Sequence, residues 1–163
     1  MDHIWSPWRM DYISREKKPS AKCIFCHAAD CSDNNENLIV RRAQLAYVIL
    51  NRYPYTSGHV MVVPYAHKPS LASLEKLTLA EIMQLINESL RTIEALYNPE
   101  GFNVGANIGS IAGAGVAEHV HFHVVPRWGG DTNFMTAVGG TRVLPEELCK
   151  TYERMKAGWL SQE

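Results

Sequence analysis

The run His119-Val120-His121-Phe122-His123-Val124-Val125 constrains this chain more than any other stretch. Three histidines alternate with large apolar residues, and Pro126 closes the run. In a β-strand successive side chains point to opposite faces, so positions i, i+2 and i+4 share one face. The pattern predicts a strand over 119–125 with Val120, Phe122 and Val124 in a core and three imidazoles on the other surface. Neighbouring imidazoles are then about 6.6 Å apart along the strand. Imidazole titrates near neutrality and acts as base, acid, nucleophile or metal ligand. Three of the chain's seven histidines fall within five positions, which core packing alone does not require. Two chemistries are open at this point: metal chelation by histidines at i and i+2, or nucleophilic catalysis with the other rings managing phosphate charge and protons. An incidental polar strand face is the alternative without function.

The rest of the chain gives the strand a setting. At 163 residues it is most simply one domain able to bury a sizeable core. A formal net charge of −1 provides no global attraction for nucleic acid or an anionic membrane, so an anionic substrate must be held by local groups. No apolar run is long enough to span a bilayer. The segment Met1-Asp2-His3-Ile4-Trp5 does not read as a signal peptide, so the expected location is the cytoplasm, and Cys23, Cys26, Cys31 and Cys149 are expected to be thiols or metal ligands. Residues 1–22 read as an extended arm, with Trp5, Trp8 and Tyr12 able to pack it onto the body or a second subunit.

Strand-like runs rich in β-branched and aromatic residues occupy Leu38–Arg41, Leu45–Leu50 and His59–Pro64. A helix is expected from about Leu79 to Tyr97, with Thr78 as N-cap, Glu81 completing a capping box, and Leu79, Ile82, Met83, Ile86, Leu90, Ile93 and Tyr97 at helical spacing. Asn98-Pro99-Glu100-Gly101 stops it. Phe102–Ile108 reads as a further strand, then a glycine-rich loop through Gly115, then the histidine strand. A last helix is expected over about Pro145–Trp159, with Pro145 in its first turn, inside a C-terminal extension from residue 136. The short connections favour antiparallel pairing. The expected architecture is α+β: a mainly antiparallel sheet of about five strands, one long central helix and a C-terminal helix.

Two features support the histidines. Gly109, Gly113 and Gly115 permit close backbone approach, and their N–H groups can cradle phosphate oxygens. Cys23-Ile24-Phe25-Cys26 is a C-x₂-C pair of the kind that supplies two zinc ligands. His27, Cys31, His67 or one histidine of the alternating run could complete a closed site, and spacing alone does not choose among them. Without a second C-x₂-C or a basic face, a nucleic-acid zinc module is disfavoured.

The alternating run is similar at every position to the signature of the histidine triad (HIT) superfamily, and Gly58-His59-Val60-Met61-Val62-Val63-Pro64 with His67 resembles that family's upstream strand. Trp5-Ser6-Pro7-Trp8-Arg9-Met10 and the run 126–135 most resemble the branch of diadenosine tetraphosphate phosphorylases and related dinucleotide hydrolases. The resemblance implies a small HIT domain, commonly a homodimer. It implies a nucleotide or dinucleoside polyphosphate substrate attacked at the α-phosphorus by His121. A covalent nucleotidyl-histidine would form and be resolved by water or phosphate. It places His123 on the phosphate with His59 beside it, Asn51 on the ribose, and Asn107 with Gly113 and Gly115 near the phosphate chain. In zinc-bearing relatives the metal ligands correspond to Cys23, Cys26, His67 and His119. A divalent cation such as magnesium travelling with the substrate is compatible with this chemistry. The stretch Ala114-Gly115-Val116-Ala117-Glu118 lacks the Ser or Thr many relatives carry there. This sets the chain apart from the phosphoramidase branch. A phosphoramidase, a general nucleotide hydrolase and a non-catalytic nucleotide-binding protein remain the alternatives.

Overall fold

The computed structural model describes residues 23–34, 36–131 and 146–160. Within these, α1 spans Ile24–Asp30, β1 Ile39–Arg42, β2 Ala46–Leu50, β3 Val60–Pro64, α2 Lys76–Tyr97, β4 Gly101–Gly105, β5 Phe122–Arg127 and α3 Leu148–Leu160. Single 3₁₀ turns lie at Leu71–Ser73 and Ser110–Ala112. The five strands form one sheet in the order β1-β2-β3-β5-β4, and every neighbouring pair is antiparallel. This is the α+β architecture expected from the strand pattern and short connections. The arm 1–22 and Pro145 lie outside the described residues. No helix among the described residues is long and apolar enough to cross a membrane.

The register explains what each face does. Ile49 pairs with Met61, and Met61 with His123. Val48 pairs with Val62, and Val62 with Phe122. Cross-strand partners share a face, so His123 lies level with Ile49 and Met61. Tyr47 is on that same face, and its hydroxyl donates to the Phe25 carbonyl of α1 at 2.8 Å. The α1 segment therefore covers the histidine face. The opposite face lies under α2, which packs on β2, β3 and β5, with α3 against α2 and β1. Strands β2 and β3 are buried along their whole length because both faces are covered. Alternation consequently gives way to continuous apolar runs there.

The long helix differs from the sequence reading at its start. It begins at Lys76, and its N-cap Glu75 makes no side-chain cap bond. Thr78 is buried inside the first turn. The Glu81 carboxylate accepts from the backbone N–H of Leu45 (2.6 Å) and Ala46 (2.9 Å) instead of closing a capping box. Bonding the entry to β2 satisfies two donors at once. Met83, expected on the apolar face, is 59% exposed, whereas Leu85 is buried. Ser89 and Thr92 are buried but donate back to the carbonyls of Leu85 and Glu88. Asn98, in the left-handed conformation at φ 45°, ends the helix.

Arg42 fastens α1 to the sheet. Its guanidinium donates to the carbonyls of Ala29 (2.8 Å) and Cys31 (2.7 Å) and pairs with Asp33 at 2.7 Å. Lys156 of α3 reaches the same carboxylate at 2.8 Å. Burial alone would push the Asp33 carboxyl up; Lys156 and Arg42 outweigh it and hold it below its ordinary value.

Candidate active and metal-binding site

His119, His121 and His123 sit on one side of the chain, as the alternation predicts, but they do not line an open surface. The ladder begins at Phe122, so His119–His121 precede it outside the sheet. His119 is 1% and His121 4% exposed, because the Cys23–Asp30 segment lies over them. On the other side Val120 and Val124 are buried and Phe122 is partly buried against the core.

Two histidines from the β3 region meet the two ends of the run. His59 follows Gly58, whose φ of +80° makes the turn that delivers it, and its Nε2 lies 3.0 Å from His123 Nδ1. His67 lies beyond Pro64, where β3 ends, and its ring contacts His119 edge-on, with centroids 4.9 Å apart. The pair eight residues apart is thus divided between the two ends of the run.

Hydrogen-bond partners define the protonation of each ring. A carbonyl oxygen can only accept, so the 3.0 Å contact between His121 Nδ1 and the His119 carbonyl puts the proton on Nδ1. Nε2 of His121 keeps its lone pair. The Tyr55 backbone N–H donates to His59 Nδ1 at 3.1 Å, so His59 carries its proton on Nε2 and donates to His123 Nδ1. His123 then carries its proton on Nε2. One ring presents a lone pair and its neighbour, 5.0 Å away by centroids, presents an N–H. Burial, first, and the adjacent His121, second, push the His123 imidazole down to about 4, and burial also pushes His121 down. Both rings stay neutral at physiological pH, the form that nucleophilic attack requires.

His119 is turned the other way. Its Nε2–H donates to the Pro64 carbonyl at 2.8 Å, which leaves Nδ1 unprotonated toward the cysteines. Cys23 Sγ lies 3.3 Å and Cys26 Sγ 3.6 Å from that Nδ1, and His67 Nδ1 lies 3.3 Å from Cys26 Sγ. The four ligand atoms all lie within 4.8 Å of one another. Tetrahedral zinc with Zn–S near 2.3 Å and Zn–N near 2.05 Å places S and N about 3.6 Å apart, so donor set and spacing fit that ion. Burial and the adjacent Cys23 thiol push the Cys26 thiol up; a cation between them would reverse that repulsion. The other two candidates the spacing admitted, Cys31 and His27, lie 3.8 Å from each other and, among the described residues, are not part of the cluster.

The remaining sequence candidates fall around this centre. Asn51 accepts from the Tyr53 N–H at 2.9 Å, and its amide nitrogen lies 3.5 Å from the His59 ring nitrogens. Asn107 donates to the Gly113 carbonyl at 3.2 Å, bracing the glycine-rich loop in which Gly113 has φ +87°. The strand expected over Phe102–Ile108 ends at Gly105, which leaves Asn107 and Ile108 to the loop. Gly115 lies in the same loop, and Val116 packs partly buried against the core.

Two aromatic residues escaped the sequence reading. Phe25 contacts His119 at 5.5 Å and His121 at 4.7 Å, and Tyr55 stacks on His59 at 5.1 Å. Their only sequence signals are position: Phe25 stands between the cysteines, and Tyr55 stands in the turn before His59.

A family model described as "HIT domain" matches residues 32–130. The chain belongs to the HIT domain family. Likeness to one HIT relative, an AP-4-A phosphorylase from Mycobacterium tuberculosis, runs over nearly the whole chain. It is 42% identical over 169 aligned residues, covering 99% of this chain and 86% of that protein, and so takes in the cysteines that precede the family match. A Zn-bound histidine triad family protein from Mycobacterium smegmatis shares the fold with TM-score 0.69 and 24% identity, covering 86% of this chain and 95% of that one. Plasmodium falciparum diadenosine triphosphate hydrolase in complex with cyclomarin A shares it with TM-score 0.62 and 19% identity, covering 80% and 78%.

Proposed function

We propose that this protein cleaves dinucleoside polyphosphates such as diadenosine tetraphosphate through a nucleotidyl intermediate on His121. The observation that carries the reading is the bond from His121 Nδ1–H to the His119 carbonyl, which orients a lone pair on Nε2 beside the N–H of His123. In the first step Nε2 attacks the α-phosphorus. An N–P bond forms, the bridging P–O bond breaks, and the nucleoside polyphosphate leaves. In the second step inorganic phosphate or water attacks that phosphorus and the N–P bond breaks, giving a nucleoside diphosphate or monophosphate. Splitting the transfer in two lets a neutral imidazole do the work without a strong base. The His123 N–H, held by His59, donates to a phosphate oxygen as charge develops, and donors fixed in advance need no reorganisation. Asn51 serves the ribose, and Asn107, Gly113 and Gly115 the phosphate chain. The 42% identity to an AP-4-A phosphorylase over 99% of the chain supports phosphate as acceptor.

Cys23, Cys26, His67 and His119 hold one structural zinc in this reading. It fastens α1 to the start of the histidine run and takes no part in the chemistry. Four protein ligands leave no open position, as in closed structural sites. Among the described residues strand β4 stands at one edge of the sheet, and Val104 on it is 45% exposed. Both support a homodimer joined at that edge.

Product chromatography after incubation with diadenosine tetraphosphate, with and without phosphate, tests the reading. ADP and ATP should appear with phosphate present, and His121→Ala should lower the rate by more than ~10⁴-fold. Cleavage that survives this substitution, or no release of AMP or ADP under either condition, would overturn it.

A further inference from the structure

We propose that Phe25 is a positioning residue through which metal occupancy of the cysteine–histidine cluster sets the orientation of the His121 imidazole. The inference rests on His121 being the nucleophile and on the cluster holding zinc. Phe25 lies between two candidate ligands in sequence and is 3% exposed. Its ring packs on His121 at 4.7 Å with an interplanar angle of 47°, and edge-on against His119 at 5.5 Å and 75°. Among the described residues the His121 ring makes one hydrogen bond, from Nδ1–H to the His119 carbonyl. A single bond leaves the ring free to pivot about the donor, and Nε2, on the far side of the ring, moves most. The rings of Phe25, tilted at 4.7 Å, and of His123, edge-on at 5.0 Å, restrict that pivot.

What places Phe25 is therefore what places the nucleophile. It belongs to α1, of seven residues. Isolated helices shorter than about 12 residues are marginal in water, so outside contacts must hold α1. Those on hand are the Arg42 guanidinium on the carbonyls of Ala29 and Cys31 and the Asn37 amide on the Ala28 carbonyl at its C-terminal end, the Tyr47 hydroxyl on the Phe25 carbonyl, and the ligands Cys23 and Cys26 on either side of that residue. Without metal, Cys23 and Cys26 are no longer tied through a common ion to His67 and His119, and the segment carrying Phe25 loses that fastening. A metal that never meets substrate acts on the reaction through one aromatic ring.

The test uses the full-length protein, zinc-loaded and zinc-stripped, as wild type, Phe25→Leu, Phe25→Ala and His121→Ala. Ring ¹H–¹⁵N NMR reads His121 directly, assigned by its absence in His121→Ala. Zinc removal should shift or broaden that signal in wild type, while in Phe25→Leu the loaded protein should already lie near the stripped position. Phe25→Leu and Phe25→Ala should retain one zinc per chain, with kcat lowered about 10- to 100-fold, KM within about twofold, and the loss smaller for Leu. If Phe25→Ala does not fold by circular dichroism, Phe25→Leu carries the comparison. A raised KM with unchanged kcat would make Phe25 a wall of the nucleotide pocket and overturn the inference. So would an equal zinc-dependent shift of His121 in wild type and Phe25→Leu. If His121→Ala remains active, the proposed reaction fails, and the NMR comparison still decides whether metal and imidazole are coupled.

Discussion

Replacing His123 by Asn should remove a specific loss of stability in acid. The folded protein pushes this imidazole from 6.5 down to about 4, by burial first and by His121 second. The hydrogen-bond chain acts in the same direction. A proton added to His123 must go to Nδ1, which already accepts from His59, and His59 cannot reverse because its own Nδ1 accepts from the Tyr55 N–H. In the unfolded chain the ring protonates near 6.5, so between pH 6.5 and 4 the unfolded state binds the extra proton. Stability is therefore complete above pH 6.5, falls as pH drops toward 4, and levels off below. One pKa unit corresponds to about 1.4 kcal/mol, which sets a ceiling of about 3 kcal/mol; partial exposure of the ring reduces it to about 2 kcal/mol. Asn keeps an oxygen acceptor near the position of Nδ1 but does not titrate. Urea unfolding of zinc-loaded wild type and His123→Asn at pH 7.5, 5.5 and 4.5 measures the difference, and loss of zinc in acid is common to both. With a denaturant slope of about 2 kcal/mol per molar, the gap between the two midpoints should change by about 1 M between pH 7.5 and 4.5 in favour of the variant. Parallel curves would refute the claim that the network holds His123 neutral.

Three further outcomes follow from named contacts. Cys23→Ser should weaken zinc binding more than ~100-fold and lower the melting temperature, since binding free energy at such a site is folding free energy; a variant with one zinc per chain by elemental analysis would contradict the ligand set. Tyr47→Phe removes the donor from the buried Phe25 carbonyl and should cost about 1–3 kcal/mol, read as a melting point lower by about 2–12 °C; an unchanged melting point would show that α1 does not depend on that bond. Glu81→Ala leaves the N–H groups of Leu45 and Ala46 without their acceptor and should cost about 2–3 kcal/mol in urea unfolding, whereas a surface capping residue would cost about 1 kcal/mol.

The strands were legible because each is a short β-rich run between turn residues; the bounds of the first three moved by a residue or two, while β4 ends three residues before Ile108 and β5 starts three residues after His119. The start of the long helix was misplaced for a physical reason. Thr78 and Glu81 satisfy the capping-box pattern, but Glu81 is recruited by backbone donors of Leu45 and Ala46, 36 and 35 residues earlier in the chain. Such a contact leaves no trace in local sequence. His59 and His67 show the same limit. Both border β3, and that one meets His123 and the other His119 is set by packing between distant segments, not by anything near them in the chain.

The sequence alone determined the alternation that sets three imidazoles against an apolar face, the C-x₂-C pair, and the α+β order of elements. Those are short-range properties of a polypeptide with period 2 in strands and 3.6 in helices. Only the tertiary structure decided which nitrogen of each ring is free. His121 is polarised by a carbonyl two residues back, His119 by Pro64, and His123 by His59 and, through it, by a backbone N–H in the Tyr55 turn. Three chemically identical side chains become a candidate ligand, a candidate nucleophile and a donor because each meets a different partner, most of them brought there by the fold.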